Sequence, residues 1–136
     1  TVRGTVMEII NVLVAAAAAW VFGAIWYMAL SKPWIKVSGV KIDEQTGRPA
    51  GGALPFILSF IAMIIVAGFM RHIFAMTAID TIGKGLVAGL GVGLFFITPW
   101  TMINNAYPGR PFMLTVIDGG YAVGGCAIIG AILMAF

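Results

Sequence analysis

Few residues in this 136-residue chain could do chemistry, and they fall into two groups. The first is Asn104, Asn105, Tyr107, Arg110 and Asp118. Asp118 is a carboxylate in an otherwise apolar run. The segment Tyr107-Pro108-Gly109-Arg110-Pro111 before it reads as a tight hairpin, because Pro and Gly break helices and favour turns. A helix starting after that hairpin would carry Asp118 roughly 9 Å along its axis. There it could accept hydrogen bonds from an Asn amide, a tyrosine hydroxyl or Arg110. Such a cluster could serve an ion, a proton or a ligand, or it could simply pin the hairpin. The second group is Glu8, Asn11, Arg71 and His72. Antiparallel helices would bring these to one membrane surface, where Glu8 and Arg71 could form an ion pair. His72 could titrate, or bind a metal, haem or chlorophyll-type pigment. Gly68, four residues earlier, would leave room over that helix face for a flat macrocycle. No second ligand stands near His72 in the sequence, so an ordinary interfacial histidine is the simpler reading.

Nothing else has the pattern of a catalytic site. There is no Ser/His/Asp or Cys/His arrangement, no metal-ligand spacing and no glycine-rich phosphate loop after a strand. The expectation is a non-enzymatic protein with no resident cofactor or metal. Contact with lipid, quinone or pigment through Trp100, Tyr121 or His72 stays open. The one cysteine, Cys126, lies in an apolar run and reads as a small core residue, unable to form an internal disulfide. The formal charge of +3 is spread along the chain without the Lys/Arg cluster that nucleic acid requires.

The elements that must position these residues are membrane spans. The chain is 61% hydrophobic and 10% charged, with a mean hydropathy of +1.04. A soluble domain carries about 25% charged residues, so this chain could not cover itself with a polar surface in water. A bilayer core of about 30 Å needs roughly 20 apolar residues in a helix. Four segments qualify, at about 6–30, 54–76, 85–106 and 112–136, giving an all-α four-transmembrane-helix bundle with short loops in a single transmembrane domain. The opening Thr-Val-Arg is consistent with removal of an initiator Met, and the first apolar segment is too long for a signal-peptide core. The stretch 31–53 holds Lys32, Lys36, Lys41, Asp43, Glu44 and Arg48 and reads as a water-exposed loop; its start, Lys-Pro-Trp-Ile-Lys-Val, is amphipathic and could lie in the interface.

Lys32, Lys36, Lys41, Arg48 and Arg110 fall in the loops after the first and third spans, against Arg3, Arg71 and Lys84 on the opposite side. By the positive-inside bias this favours periplasmic termini. Trp26, Tyr27, Trp34, Trp100 and Tyr107 all fall toward the first and third loops, as headgroup-level aromatics would.

In lipid, helices associate through close packing that small residues permit. Ala15, Ala19 and Gly23 recur every four residues on the first span, Gly85, Gly89 and Gly93 on the third, and Gly120 and Gly124 on the fourth. These stripes could pack within one bundle or offer an oligomer interface or docking groove. Pro99 lacks a backbone donor, so a kink is expected near 95–99.

Two motifs carry a resemblance. One is Asn11, Ala15-Ala16, then Gly23-Ala24-Ile25-Trp26-Tyr27 and Lys32-Pro33-Trp34. The other is Asn105-Ala106-Tyr107-Pro108-Gly109-Arg110-Pro111 followed by Ile117-Asp118-Gly119-Gly120-Tyr121. Together they resemble the bacterial domain-of-unknown-function family DUF seventeen-sixty-one across nearly the whole chain. The resemblance implies a small four-helix protein of the bacterial inner membrane and implies no reaction. The family often has Asn where this chain has Asp118, which adds a charge.

The leading expectation is a structural or accessory subunit of a larger membrane assembly, respiratory or photosynthetic. It would contact membrane lipids and other transmembrane subunits or itself, and no nucleic acid. The alternatives are a small oligomeric transporter or channel with its polar site at Asp118, Asn104 and Asn105, and a lipid, quinone or pigment binder.

Overall fold

A computed structural model describes residues 2–136. Four helices are long and apolar enough to cross a membrane: Val2–Ala29, Leu54–Ala75, Ile82–Ala106 and Phe112–Leu133. The first is α1 and the second α3. A short helix, α2, covers Ser31–Ser38, and the fourth span is α6. The third span is made of α4 (Ile82–Val92), a π-helical turn (Gly93–Ile97) and α5 (Thr98–Ala106). A helix pairs its backbone groups within itself, which is what a lipid environment demands.

The first span begins four residues before the expected 6, and the fourth ends three residues before 136. The third begins at Ile82 because Thr81 caps it: the Thr81 hydroxyl accepts from the Lys84 backbone N–H at 3.1 Å, which satisfies an otherwise unpaired donor.

The helix order is uneven. α6 lies at the centre, packed against α1 on one side and the third span on the other, while α3 leans on α1 and touches α6 only lightly. α3 and α4 follow one another in the chain yet share no extended packing face. In the most apolar stretch of each helix, 39% of α6 residues are buried against 11% in the second and third spans. The core is therefore a seam along α6, built from Ala15, Ala16, Ala19, Cys126, Ile129 and Leu133, with Ala67, Met70 and Phe74 supplied by α3.

Around Pro99 the helix widens. The Thr98 backbone N–H bonds the Gly93 carbonyl, five residues back. The Thr98 hydroxyl donates to that same carbonyl at 2.7 Å. Pro99 has no N–H to offer Phe95, so the helix passes this point through a π turn, one of the ways such a gap is absorbed.

The amphipathic start of the first loop is helical as α2, closed by Gly39 in the left-handed region at φ 73°. The remaining loop, through 53, is exposed and folds on itself, with Asp43 N donating to Arg48 O at 2.8 Å and Ala50 N to Lys41 O at 2.9 Å.

The five aromatics lie toward the first and third loops, but they do not all face outward. Trp100 is 68% exposed and Tyr107 90%, as headgroup-level residues would be. Trp26 and Tyr27 instead turn toward α6: Trp26 Nε1 donates to the Ile117 carbonyl at 2.9 Å. A polar tip on a large ring finds a partner inside the protein as readily as in the headgroups, once small residues on the next helix let it approach.

Candidate functional site

Two polar junctions lie at opposite ends of the helices. The first joins α1 to α6. α1 carries large rings at Phe22, Trp26 and Tyr27, and α6 offers glycines opposite them. A Cβ at Gly120 would strike Trp26, and one at Gly124 would lie 2.6 Å from the Phe22 ring; in return, Tyr121 occupies the space beside Gly23, 2.7 Å from where a Cβ would stand. Rings set into glycine hollows fix the height and rotation of α1 against α6. The Tyr27 hydroxyl then donates to Asp118 Oδ1 at 2.6 Å. Tyr121 and Trp34 meet the Tyr27 ring edge to face at 5.6 and 5.9 Å. Asp118, half-buried in a span, is thus held by a phenol from the other end of the chain.

The expected five-residue cluster around Asp118 divides. Asn105 is buried and its amide donates to Thr115 Oγ1 at 3.2 Å. Arg110 donates to Asn105 twice, from Nη1 to the side-chain oxygen at 3.3 Å and from its backbone N–H to the Asn105 carbonyl at 2.9 Å. These residues pin the hairpin between α5 and α6, and none of these bonds reaches Asp118. Asn104 and Tyr107 face outward. The reason is angular: on a helix, residues one or two positions apart from Asn105 point away from the side it presents to α6. Nothing adjacent to Asp118 in the sequence points to Tyr27, and Thr115 carries no signal of its bond to Asn105. The signal for Tyr27 was available in Gly23, Gly120 and Gly124, which mark where rings can approach.

The second junction joins α1, α3 and the end of α6. Asn11 is 1% exposed. Its side-chain oxygen accepts from Arg71 Nη1, and its amide donates to the Ile132 carbonyl at 3.2 Å. One side chain therefore ties three helices. Arg71 Nη2 lies 3.7 Å from Glu8 Oε1, an ion pair at the surface end of α1 and α3. His72 is exposed and sits edge-on to Phe69 at 5.7 Å. A cleft of about 560 Å³ opens here, lined by Glu8, Gly68, Arg71, His72, Leu133 and Met134 among others. Gly68 has open space on its bare face, with only Val12 at 3.9 Å from a built Cβ. Among the described residues no three His, Cys, Asp or Glu side chains come together as a metal site would need.

A family model described as "Protein of unknown function (DUF1761)" matches residues 10–134. The chain belongs to this family. No curated protein and no solved structure matches it.

The DUF1761 match takes in both junctions apart from Glu8, which lies before residue 10. It also takes in the small-residue stripes, and in this DUF1761 chain they are filled from within. A Cβ at Gly85, Gly89 or Gly93 would strike the α6 backbone at Gly130, Cys126 or Ala122 respectively. Ala15 and Ala19 are 0% exposed. The stripes are used to bring helices of one chain together, so they offer no free groove to another protein. Among the described residues, no buried side-chain nitrogen or oxygen lacks a hydrogen-bond partner.

Proposed function

We propose that this multi-pass membrane protein is a non-enzymatic accessory subunit of the bacterial inner membrane, docking by a lateral face in a larger membrane assembly. A respiratory or photosynthetic complex is a natural host. Periplasmic termini agree with the distribution of Lys and Arg. The observation that supports docking is the one-sided packing of the third span. It rests on α6 through Gly85, Gly89 and Gly93, while Val87, Phe95, Phe96 and Trp100 are each about two-thirds exposed on its other faces. Large side chains in that number suit a transmembrane neighbour as well as lipid, since association in a bilayer depends on shape more than on apolarity. Gentle extraction of the tagged chain from its own membrane, followed by native mass spectrometry, tests this. Defined larger subunits should travel with it. Migration only as a monomer or homo-oligomer would sink the idea.

A second reading is a small oligomeric transporter or channel, favoured by one feature, a carboxylate at Asp118 inside a span and bonded to Tyr27. Liposome flux that is unchanged in Asp118→Asn would count against it.

A further inference from the structure

We propose that the cleft between α1, α3 and the end of α6 is a binding site for a zwitterionic phosphate ester: a phosphate with an ammonium group close by, as in an ethanolamine phospholipid headgroup. The site is separate from the exposed face of the third span, so it stands or falls independently of docking.

Arg71 uses its two terminal nitrogens unequally. Its Nη1 is committed to Asn11, which holds the guanidinium in place. Its Nη2 faces Glu8 at 3.7 Å, beyond the roughly 2.7–2.9 Å of a charge-assisted hydrogen bond. Arg71 and Glu8 are close enough to balance each other's charge, yet each keeps hydrogen-bonding capacity toward the cleft. Side-chain exposures of 28% for Arg71 and 60% for Glu8 leave both open to a ligand. A guanidinium fork matches a phosphate in geometry and charge. His72, on the same wall, adds a ring N–H donor. A lone anion would meet Arg71 but be opposed by Glu8, and a lone cation the reverse. A ligand carrying both signs satisfies both side chains and leaves the site neutral.

The rest of the cleft fits the remainder of such a molecule. Phe74, Ile79, Leu133 and Met134 line it with apolar surface. Arg71 and His72 lie in the last turns of α3, and Leu133 is the last residue of α6, so the charged wall is at the helix ends, where a headgroup sits. A volume of about 560 Å³ falls within the few hundred to 1,000 Å³ usual for small-molecule pockets. Gly68 keeps the side facing α1 low enough for the first methylenes of a chain to lie along α3.

The test is native mass spectrometry of the delipidated full-length chain in detergent. Phosphatidylethanolamine, phosphatidylcholine and phosphatidylglycerol of identical tails are added in turn, and soluble glycerophosphoethanolamine, the same phosphate diester without acyl chains, in a separate arm. One phosphatidylethanolamine should be retained per chain, about tenfold more tightly than phosphatidylglycerol, the difference expected for one additional charge-assisted contact. Glu8→Gln should remove that preference while the fold survives, since Glu8 is exposed. His72→Ala should weaken all three lipids together. Binding of soluble glycerophosphoethanolamine that is lost in Glu8→Gln would support the same chemistry from a free solute; retention that requires acyl chains supports a lipid. Equal retention of the three lipids with no binding of the soluble ester, or a preference that survives Glu8→Gln, would overturn the proposal.

Discussion

The Tyr27 hydroxyl donates a 2.6 Å hydrogen bond to Asp118, joining residues 91 positions apart and locking the end of α1 to the start of α6. The bond exists because glycines on α6 admit the α1 rings, and it gives the charge in the fourth span an internal partner.

Tyr27→Phe removes the donor and leaves the carboxyl to find another. A hydrogen bond to a charged group contributes about 1.5–3 kcal/mol in soluble proteins, and bonds between membrane helices average about 0.6. Unfolding followed by SDS titration should show a loss of about 1–2 kcal/mol for Tyr27→Phe. Asp118→Asn keeps an acceptor for the phenol and should lose less. The reverse order would mean that Tyr27 packs but does not bond.

Gly89→Ala places a methyl against the Cys126 carbonyl and should force α4 off α6. Gly83, on the same helix, has nothing within 4 Å of a built Cβ. Gly83→Ala should therefore not lower stability, because Ala is the better helix former by about 1 kcal/mol. Thermal melting of both variants in one detergent checks this, and equal losses would mean that the α4–α6 approach is looser than described.

Asn11→Ala should be the most damaging polar substitution in the chain. It removes the hydrogen-bond partner of Arg71 and the donor to Ile132 at once, and losing a hydrogen bond to a charged group costs about 1.5–3 kcal/mol. Adding Arg71→Leu to Asn11→Ala should recover part of the loss, so the two changes should fall well short of additive in a double-mutant cycle. Additive losses would mean that the two side chains act separately.

Asp80 lies in the turn before α4, and Lys84 bonds its carboxylate at 2.9 Å. That hydrogen bond, and then the Lys84 charge, hold the Asp80 carboxyl below the usual carboxylate range. A lowered folded value means that the contribution of the pair is present above the ordinary carboxylate range and is lost as pH falls through the lowered value. The pair is exposed, so the readout is the titration itself. Carbon NMR in micelles should show the Asp80 midpoint rising toward that of a free aspartate in Lys84→Met.

How much of this could be read in advance differs between the two junctions. Glu8, Asn11, Arg71 and His72 were placed together from their depth in antiparallel spans, and the structure has them at one surface. The Asp118 group was assembled from neighbours in sequence, and there the residues separated. Asn105 and Arg110 hold the hairpin, Asn104 and Tyr107 face out, and the partner of Asp118 comes from α1.

Sequence alone determined the four spans, because a backbone in lipid must bond to itself over some 20 apolar residues, and such runs are unmistakable. It also determined the depth of each polar group, which follows from counting along a helix. Only the tertiary structure decided the rotation of each helix, and with it the Tyr27–Asp118 bond, the filling of the glycine stripes by α6 and the open flank of the third span. In water an apolar stripe marks the buried side of a helix. In a bilayer the surroundings are as apolar as the core, so no such stripe is required, and the facing residues are chosen by the fit of rings into glycine hollows.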